Sequence, residues 1–150
     1  MANEVKDIDR GWKKHAAMMR KQASSTPHVK IGVLGPNAEA AHADADMTTI
    51  EVATIHEFGR GKNPERSFIR GSFNAYSQRY AQALGRLADL VLTNRMTHKQ
   101  ALRLFGEKAV ADMKAFMAAG IPPDKADGNP ARLKRTGQLY GSLTYEVMGL

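Results

Sequence analysis

Two long apolar stripes at helical spacing constrain this chain more than any other feature. Phe73, Tyr76, Tyr80, Leu84, Leu87 and Val91 step by 3, 4, 4, 3 and 4 residues. That spacing lines them along one face of a helix running from about Ser67 or Ser72 to Thr93. Leu102, Phe105, Ala109, Met113 and Phe116 step by 3, 4, 4 and 3 and make a second such face. Thr97 with Gln100 three residues on has the form of a capping box, each side chain bonding the other residue's backbone N–H. Gly120 and Pro122–Pro123 stop the second helix. Asn94–Met96 is a short connection, so the two helices are expected to pair antiparallel. Aromatic residues at this spacing are expected in the core. Gly85, inside the first stripe, marks an expected close approach to a neighbour.

The rest of the chain is shorter-ranged. Val29, Ile31 and Val33 alternate with Lys30 and Gly32, a half-buried strand over 28–35 that Gly35–Pro36 ends. Leu143, Tyr145 and Val147 alternate with Thr144 and Glu146, a second such strand. Two strands alone make a marginal sheet. Either the region 36–50 adds a strand or a neighbouring subunit does, and an open edge is a natural place for subunits to join. Thr48 with Glu51 forms another capping box, opening a short helix to about Glu57 that Gly59 closes. Arg60 to Pro64 reads as an irregular connection. At 7–23, Trp12, Ala16, Met19 and Ala23 step by 4, 3 and 4, an amphipathic helix that Pro27 stops. It is expected to pack on its own domain rather than to dock elsewhere or lie on a membrane surface. The stretches near 36–47 and 121–135 read as loops, the first exposed and the second mobile.

The fold class is therefore α+β. A small mixed sheet packs against two long antiparallel helices, with a short helix and an N-terminal helix added. One domain spans 1–150, with an N-terminal helix or arm at 1–27 and a core at 28–148.

Composition narrows the chemistry. There is no cysteine, which excludes disulfides, thiolate metal sites and cysteine nucleophiles. The apolar stretches fall far short of about 18 residues, too short to span a membrane, and the polar N-terminus lacks the apolar core of a secretory signal. Twenty-two Lys and Arg against fifteen Asp and Glu give +7. The basic residues cluster at Lys13–Lys14, Arg20–Lys21, Arg60–Lys62 and Arg132–Lys134–Arg135, in no long run and with no recognition motif.

Each enzyme motif fails at a named position. His56–Glu57 opens like a zinc-protease helix, but Arg60 stands where the second histidine belongs. Gly61–Lys62 resembles the end of a phosphate loop, but His56 and Asn63 occupy its other required positions. Gly32 and Gly35 lack the dinucleotide spacing. His42, Asp44 and Asp46 lie in a weakly patterned stretch without a fourth ligand. His15, His28, His42, His56 and His98 are scattered singly. His56 reads as a helix-end imidazole, where a cation suits the terminal carbonyls, in preference to a pH-sensitive contact. No catalytic, metal or cofactor residue is assigned.

Val52-Ala-Thr-Ile-His-Glu-Phe-Gly59 followed by Pro64-Glu-Arg-Ser-Phe-Ile-Arg70 resembles the neck and tail-completion proteins of long-tailed bacteriophages. In that family an Ala-x-x-x-Glu-Phe-Gly helix end precedes a Pro-x-Arg-Pro-Phe-apolar-Arg turn and a long helix. Ala53, Glu57, Phe58, Gly59, Pro64, Arg66, Phe68, Ile69 and Arg70 match; Ser67 stands where the family usually has proline. The family also closes with a Thr-Gly-x-Leu-x-x-Ser sequence leading into a strand, here Thr136, Gly137, Leu139 and Ser142. The resemblance covers roughly residues 28–148. It implies a virion protein, made in the host cytoplasm, that forms a six- or twelve-fold ring at the head–tail junction. Partners would be adjacent connector, tail-terminator or tail-tube proteins, with transient, non-specific DNA contact in the lumen. Arg60, Lys62, Arg132, Lys134 and Arg135 would be interface or lumen charges. The expected physics of the block is a clamp, in which Arg66 or Arg70 forks onto Glu57 while Phe58 and Phe68 bury the corner. The alternative reading is a non-enzymatic DNA-binding module that uses the basic patches.

Overall fold

The computed structural model describes residues 10–23, 26–43, 46–123 and 137–150. Asp44, Thr136, the basic cluster Arg132, Lys134 and Arg135, and most of the 121–135 stretch lie outside the described residues. The order is α1 (Trp12–Ala23), β1 (His28–Val33), α2 (Pro36–Glu39), α3 (Thr49–Phe58), α4 (Ile69–Leu92), α5 (His98–Ala119), α6 (Gln138–Ser142) and β2 (Leu143–Met148). The chain is α+β, as expected.

The α4–α5 pair is antiparallel because early α4 meets late α5 and the reverse. Gly71 and Tyr76 lie against Phe116, and Tyr80 lies against Phe105 with ring centroids 5.5 Å apart. Asn94 takes a positive φ of 56°, and the N–H groups of Arg95 and Met96 both return to the Leu90 carbonyl. The turn thereby satisfies carbonyls that the helix end leaves free. Both arms of each expected capping box form, Thr97 with Gln100 and Thr48 with Glu51.

β1 and β2 pair antiparallel, with Ile31 opposite Tyr145 and Val33 opposite Leu143. The expected small mixed sheet is, among the described residues, this two-stranded antiparallel one. Among the described residues, the region 36–50 adds to this an isolated bridge between Ala41 and Thr48 and no strand. α5 lies across the sheet, with Gly106 directly under the Tyr145 ring. A Cβ at Gly106 would sit 2.5 Å from that ring, so the helix approaches the strand through the one side chain that leaves room.

One core cluster gathers Val33, Ala53, Phe68, Met113, Met117, Ile121, Leu139 and Leu143. A second gathers Tyr80, Phe105 and Ala109, with Val29, Phe73 and Leu87 packed on it. The aromatic stripe of α4 is thus core, except that Leu84 is exposed.

Four expectations need correction. α1 forms, but Trp12 is 73% exposed and Met19 is also exposed, so among the described residues these two stripe positions are not packed on the domain. Periodicity fixes which face is apolar, not what covers it. Gly85 meets nothing within 4 Å, and the close approaches fall at Gly71 and Gly106 instead. The 36–47 loop contains the short helix α2, started by Pro36 in the first turn, where a missing N–H costs nothing. Arg60 and Asn63 exchange both backbone hydrogen bonds around Gly61–Lys62, a tight turn where an irregular connection was expected.

Candidate functional site

The motif residues meet at the corner between α3 and α4, and Glu57 organises it. α4 begins at Ile69 with Phe68 in the capping position, which has no side-chain acceptor to offer. The orphan N–H groups of the first turn still need partners. Glu57, in the last turn of α3, supplies them. Its Oε2 accepts from Ile69 N at 2.9 Å, and its Oε1 accepts from Arg70 N at 3.0 Å. Ser67 Oγ donates to Oε1 at 2.7 Å, and Arg70 Nε donates to the same oxygen at 3.0 Å. A carboxylate at a helix N-terminus also meets the favourable end of the helix dipole.

Glu57 is 4% exposed. Burial pushes its carboxyl pKa up, but the bonds from Arg70 N, Ser67 Oγ, Ile69 N and the Arg70 guanidinium outweigh burial. They hold it below the ordinary carboxylate range. The corner is therefore built around an ionised group.

The clamp expected from the sequence is made by Arg70. Beyond Glu57 Oε1, its Nη2 donates to the Glu57 carbonyl at 2.7 Å and to Glu65 Oε1 at 2.9 Å. Its guanidinium lies over the Phe58 ring, 4.6 Å from the centroid. Arg66 does something else. Its N–H donates to the His56 carbonyl, and its Nε reaches the Pro123 carbonyl at 3.0 Å, joining the corner to the chain leaving α5. Phe68 is fully buried, as expected, but Phe58 is 61% exposed and does not bury the corner. The reason is Arg70: stacking the guanidinium on Phe58 keeps both at the surface while the aliphatic core closes beneath Phe68.

Ser67 hydrogen-bonds in the corner, where a proline would only stiffen it. Besides donating to Glu57, its hydroxyl accepts from Gly71 N at 3.2 Å. A proline ring provides neither bond. Gly59 is required by space as well as by conformation. Its φ is +72°, and a Cβ there would sit 2.9 Å from Glu65 N. Pro64, Arg60 and Lys62 are exposed, and Ala53 is buried.

The closing motif reaches the same place from the far end of the chain. Gly137 adopts the left-handed conformation ahead of α6. Leu139 joins Ala53 and Phe68 in the first core cluster, so the two motif blocks share one core. Ser142 Oγ caps the Leu139 carbonyl at 2.8 Å. Gln138, at a position the sequence pattern leaves free, donates to the Ala41 carbonyl at 2.6 Å and accepts from Ala43 N at 2.8 Å. It pins the α2–α3 connection, and no periodic or motif signal marks it. The one-turn helix α6 was likewise not expected, five residues being too few to show a period.

His56 is corrected. Burial pushes its imidazole pKa down, and Arg66 and His42 push the same way. It is therefore held neutral, not favoured as a cation at the helix end. Tyr80, on the α4 stripe, is raised to about 12 by burial and by the charge of Asp112.

What this geometry does is fix an angle. α3 and the start of α4 are tied together by one buried carboxylate, and Leu139 of the C-terminal segment packs into the core beside them. Compared with known proteins, no family model matches the chain, and neither a curated protein nor a solved structure matches it.

Proposed function

We propose that this chain is a structural subunit of the head–tail junction of a tailed bacteriophage, a neck or tail-completion protein that works as an oligomeric ring. The observation that carries the reading is the pair of ordered motif blocks, 53–70 and 136–142, whose described residues Ala53, Phe68 and Leu139 pack together. The support is physical as well as patterned. Glu57, Ser67 and Arg70 cooperate in setting the α3–α4 angle, which is a demand of assembly. A subunit that must match identical neighbours needs a fixed shape more than it needs a reactive group.

In this reading the chain is not an enzyme and takes no cofactor. Its partners are further copies of itself and the adjacent connector, tail-terminator or tail-tube proteins. Contact with DNA passing through the lumen is transient and reads no bases, so the +7 charge serves as a tolerated field or faces an acidic neighbouring ring. The test is to make particles without the chain. Filled heads and separate tails are expected; normal infectious particles end the reading.

A further inference from the structure

We propose that His56 is an acid-sensitive latch at the end of α3: neutral, it lets the corner close, and protonated, it loosens the contact between α3 and Arg66. The latch acts on the shape of the subunit and does not depend on what the subunit assembles into.

The geometry leaves a proton on this imidazole nothing to bind. His56 lies in the last turn of α3, where free carbonyls ordinarily favour a cation. Here those carbonyls are already bonded. Ile55 O accepts from Gly59 N at 2.8 Å, His56 O accepts from Arg66 N at 2.7 Å, and Glu57 O accepts from Arg70 Nη2 at 2.7 Å. Nδ1 of His56 is shut off from solvent and meets no hydrogen-bond partner among the described residues. In the neutral ring this atom can be a bare acceptor. Protonation makes it a buried, charged donor with no acceptor, which costs far more.

The neighbouring charges add to that cost. Arg66 and His42 both act on the ring as cations. Both are held by their backbones. Arg66 is tied to the His56 carbonyl and, through Nε, to the Pro123 carbonyl. His42 N donates to the Met47 carbonyl at 2.8 Å, and Gln138 grips Ala41 and Ala43 on either side of it. Among the described residues no carboxylate offsets these cations. Glu57, next in sequence, is committed to Ser67, Ile69 and Arg70. α2, β1 and α6 pack against α3. Their titratable groups, Glu39, His28, Lys30 and Tyr140, do not act on the ring, and neither do Arg60, Lys62 and Glu65 in the α3–α4 connection.

Burial first, then Arg66 and His42, holds the imidazole pKa below that of a free histidine. The unfolded chain therefore takes up this proton first as pH falls. The stability that His56 contributes is whole above the ordinary histidine pKa and is lost as pH drops through it towards the folded value. That window opens well above the one in which Glu57 titrates, so the two groups can be separated.

The test is hydrogen exchange followed by NMR on the full-length chain, from about pH 7.5 to about pH 5.5, either side of the ordinary histidine pKa. Protection of the Arg66 amide is compared with that of the Ala109 amide, in the middle of α5. Arg66 protection should fall about threefold or more across this range while Ala109 protection holds. His56→Gln, checked for folding by circular dichroism, should abolish the fall, and His98→Gln should keep it. Level protection at Arg66 overturns the proposal, and so does a fall that survives His56→Gln. Where that variant does not fold, the parent chain decides alone. Its His56 ring resonances should titrate below those of histidine in an unstructured peptide, and titration at or above that reference removes the latch.

Discussion

α4 and α5 are neighbours of similar length, yet their N-termini are completed in opposite ways. α5 caps itself. Thr97 N–H donates to Gln100 Oε1 at 3.0 Å, and Gln100 N–H donates back to Thr97 Oγ1 at 3.2 Å. Everything needed lies within four residues. α4 has Phe68 at its capping position and borrows its acceptor from Glu57, twelve residues before Ile69 and in another helix. A local cap stabilises only its own helix. A borrowed cap also fixes the angle between two helices, because the carboxylate satisfies the N–H groups only when α3 and α4 are correctly placed. The first is a stability device, and the second is a shape device.

This difference can be tested by breaking each cap. Glu57→Ala is expected to have the largest effect, a loss of about 3 kcal/mol in chemical denaturation, since it strands two helix N–H groups, the Ser67 hydroxyl and one side of Arg70. Glu57→Gln should fall between the two, because an amide keeps the shape but turns one acceptor into a donor. An unchanged midpoint in Glu57→Ala would mean that α4 does not depend on the borrowed cap.

Thr97→Ala should cost about 1 kcal/mol, the ordinary value of an N-cap, with no change in the α3–α4 geometry. Arg70→Ala should lower the denaturation midpoint by less than Glu57→Ala does, because the guanidinium is half exposed and partly screened. Arg66→Ala should cost less, roughly 0.5 kcal/mol, since its side chain reaches one exposed carbonyl. The reverse order for the two arginines would return the clamp to Arg66.

The smallest effect is in pH. The folded pKa of Glu57 lies below its ordinary value, so the folded state binds its proton later than the unfolded chain does. Its contribution is fully present above the ordinary carboxylate pKa and is lost as pH falls through the folded value. Denaturation midpoints followed downward from neutral pH should therefore fall less steeply in Glu57→Gln than in the parent chain. The Thr97–Gln100 cap has no titrating group, and Thr97→Ala should leave the acid slope unchanged.

The same division explains which expectations held. Both capping boxes, both stripes and both strands could be read because each is decided by residues a few positions apart. Gly85 and Gly106 show the opposite case. Each is a glycine inside a long helix, and the local sequence gives no reason to prefer either as the site of close approach. Tyr145 makes the choice, from a strand thirty-nine residues after Gly106. Gln138 and the exposure of Phe58 were hidden for the same reason, since their partners, the 41–43 segment and the Arg70 guanidinium, belong to other elements.

By itself the sequence determined the longer helices and both strands, the two capping boxes, the order of the two motif blocks and the importance of Glu57 with an arginine. Those follow from periodicity and from short-range hydrogen bonding, which act within a turn or two of chain. Only the tertiary structure decided which arginine holds Glu57, that Ser67 binds where proline would stiffen, and that Trp12 and Met19 of α1 stand exposed. Those outcomes depend on what meets what in space. A single buried carboxylate can bind only the groups that the packing of α3, α4 and the core brings to it.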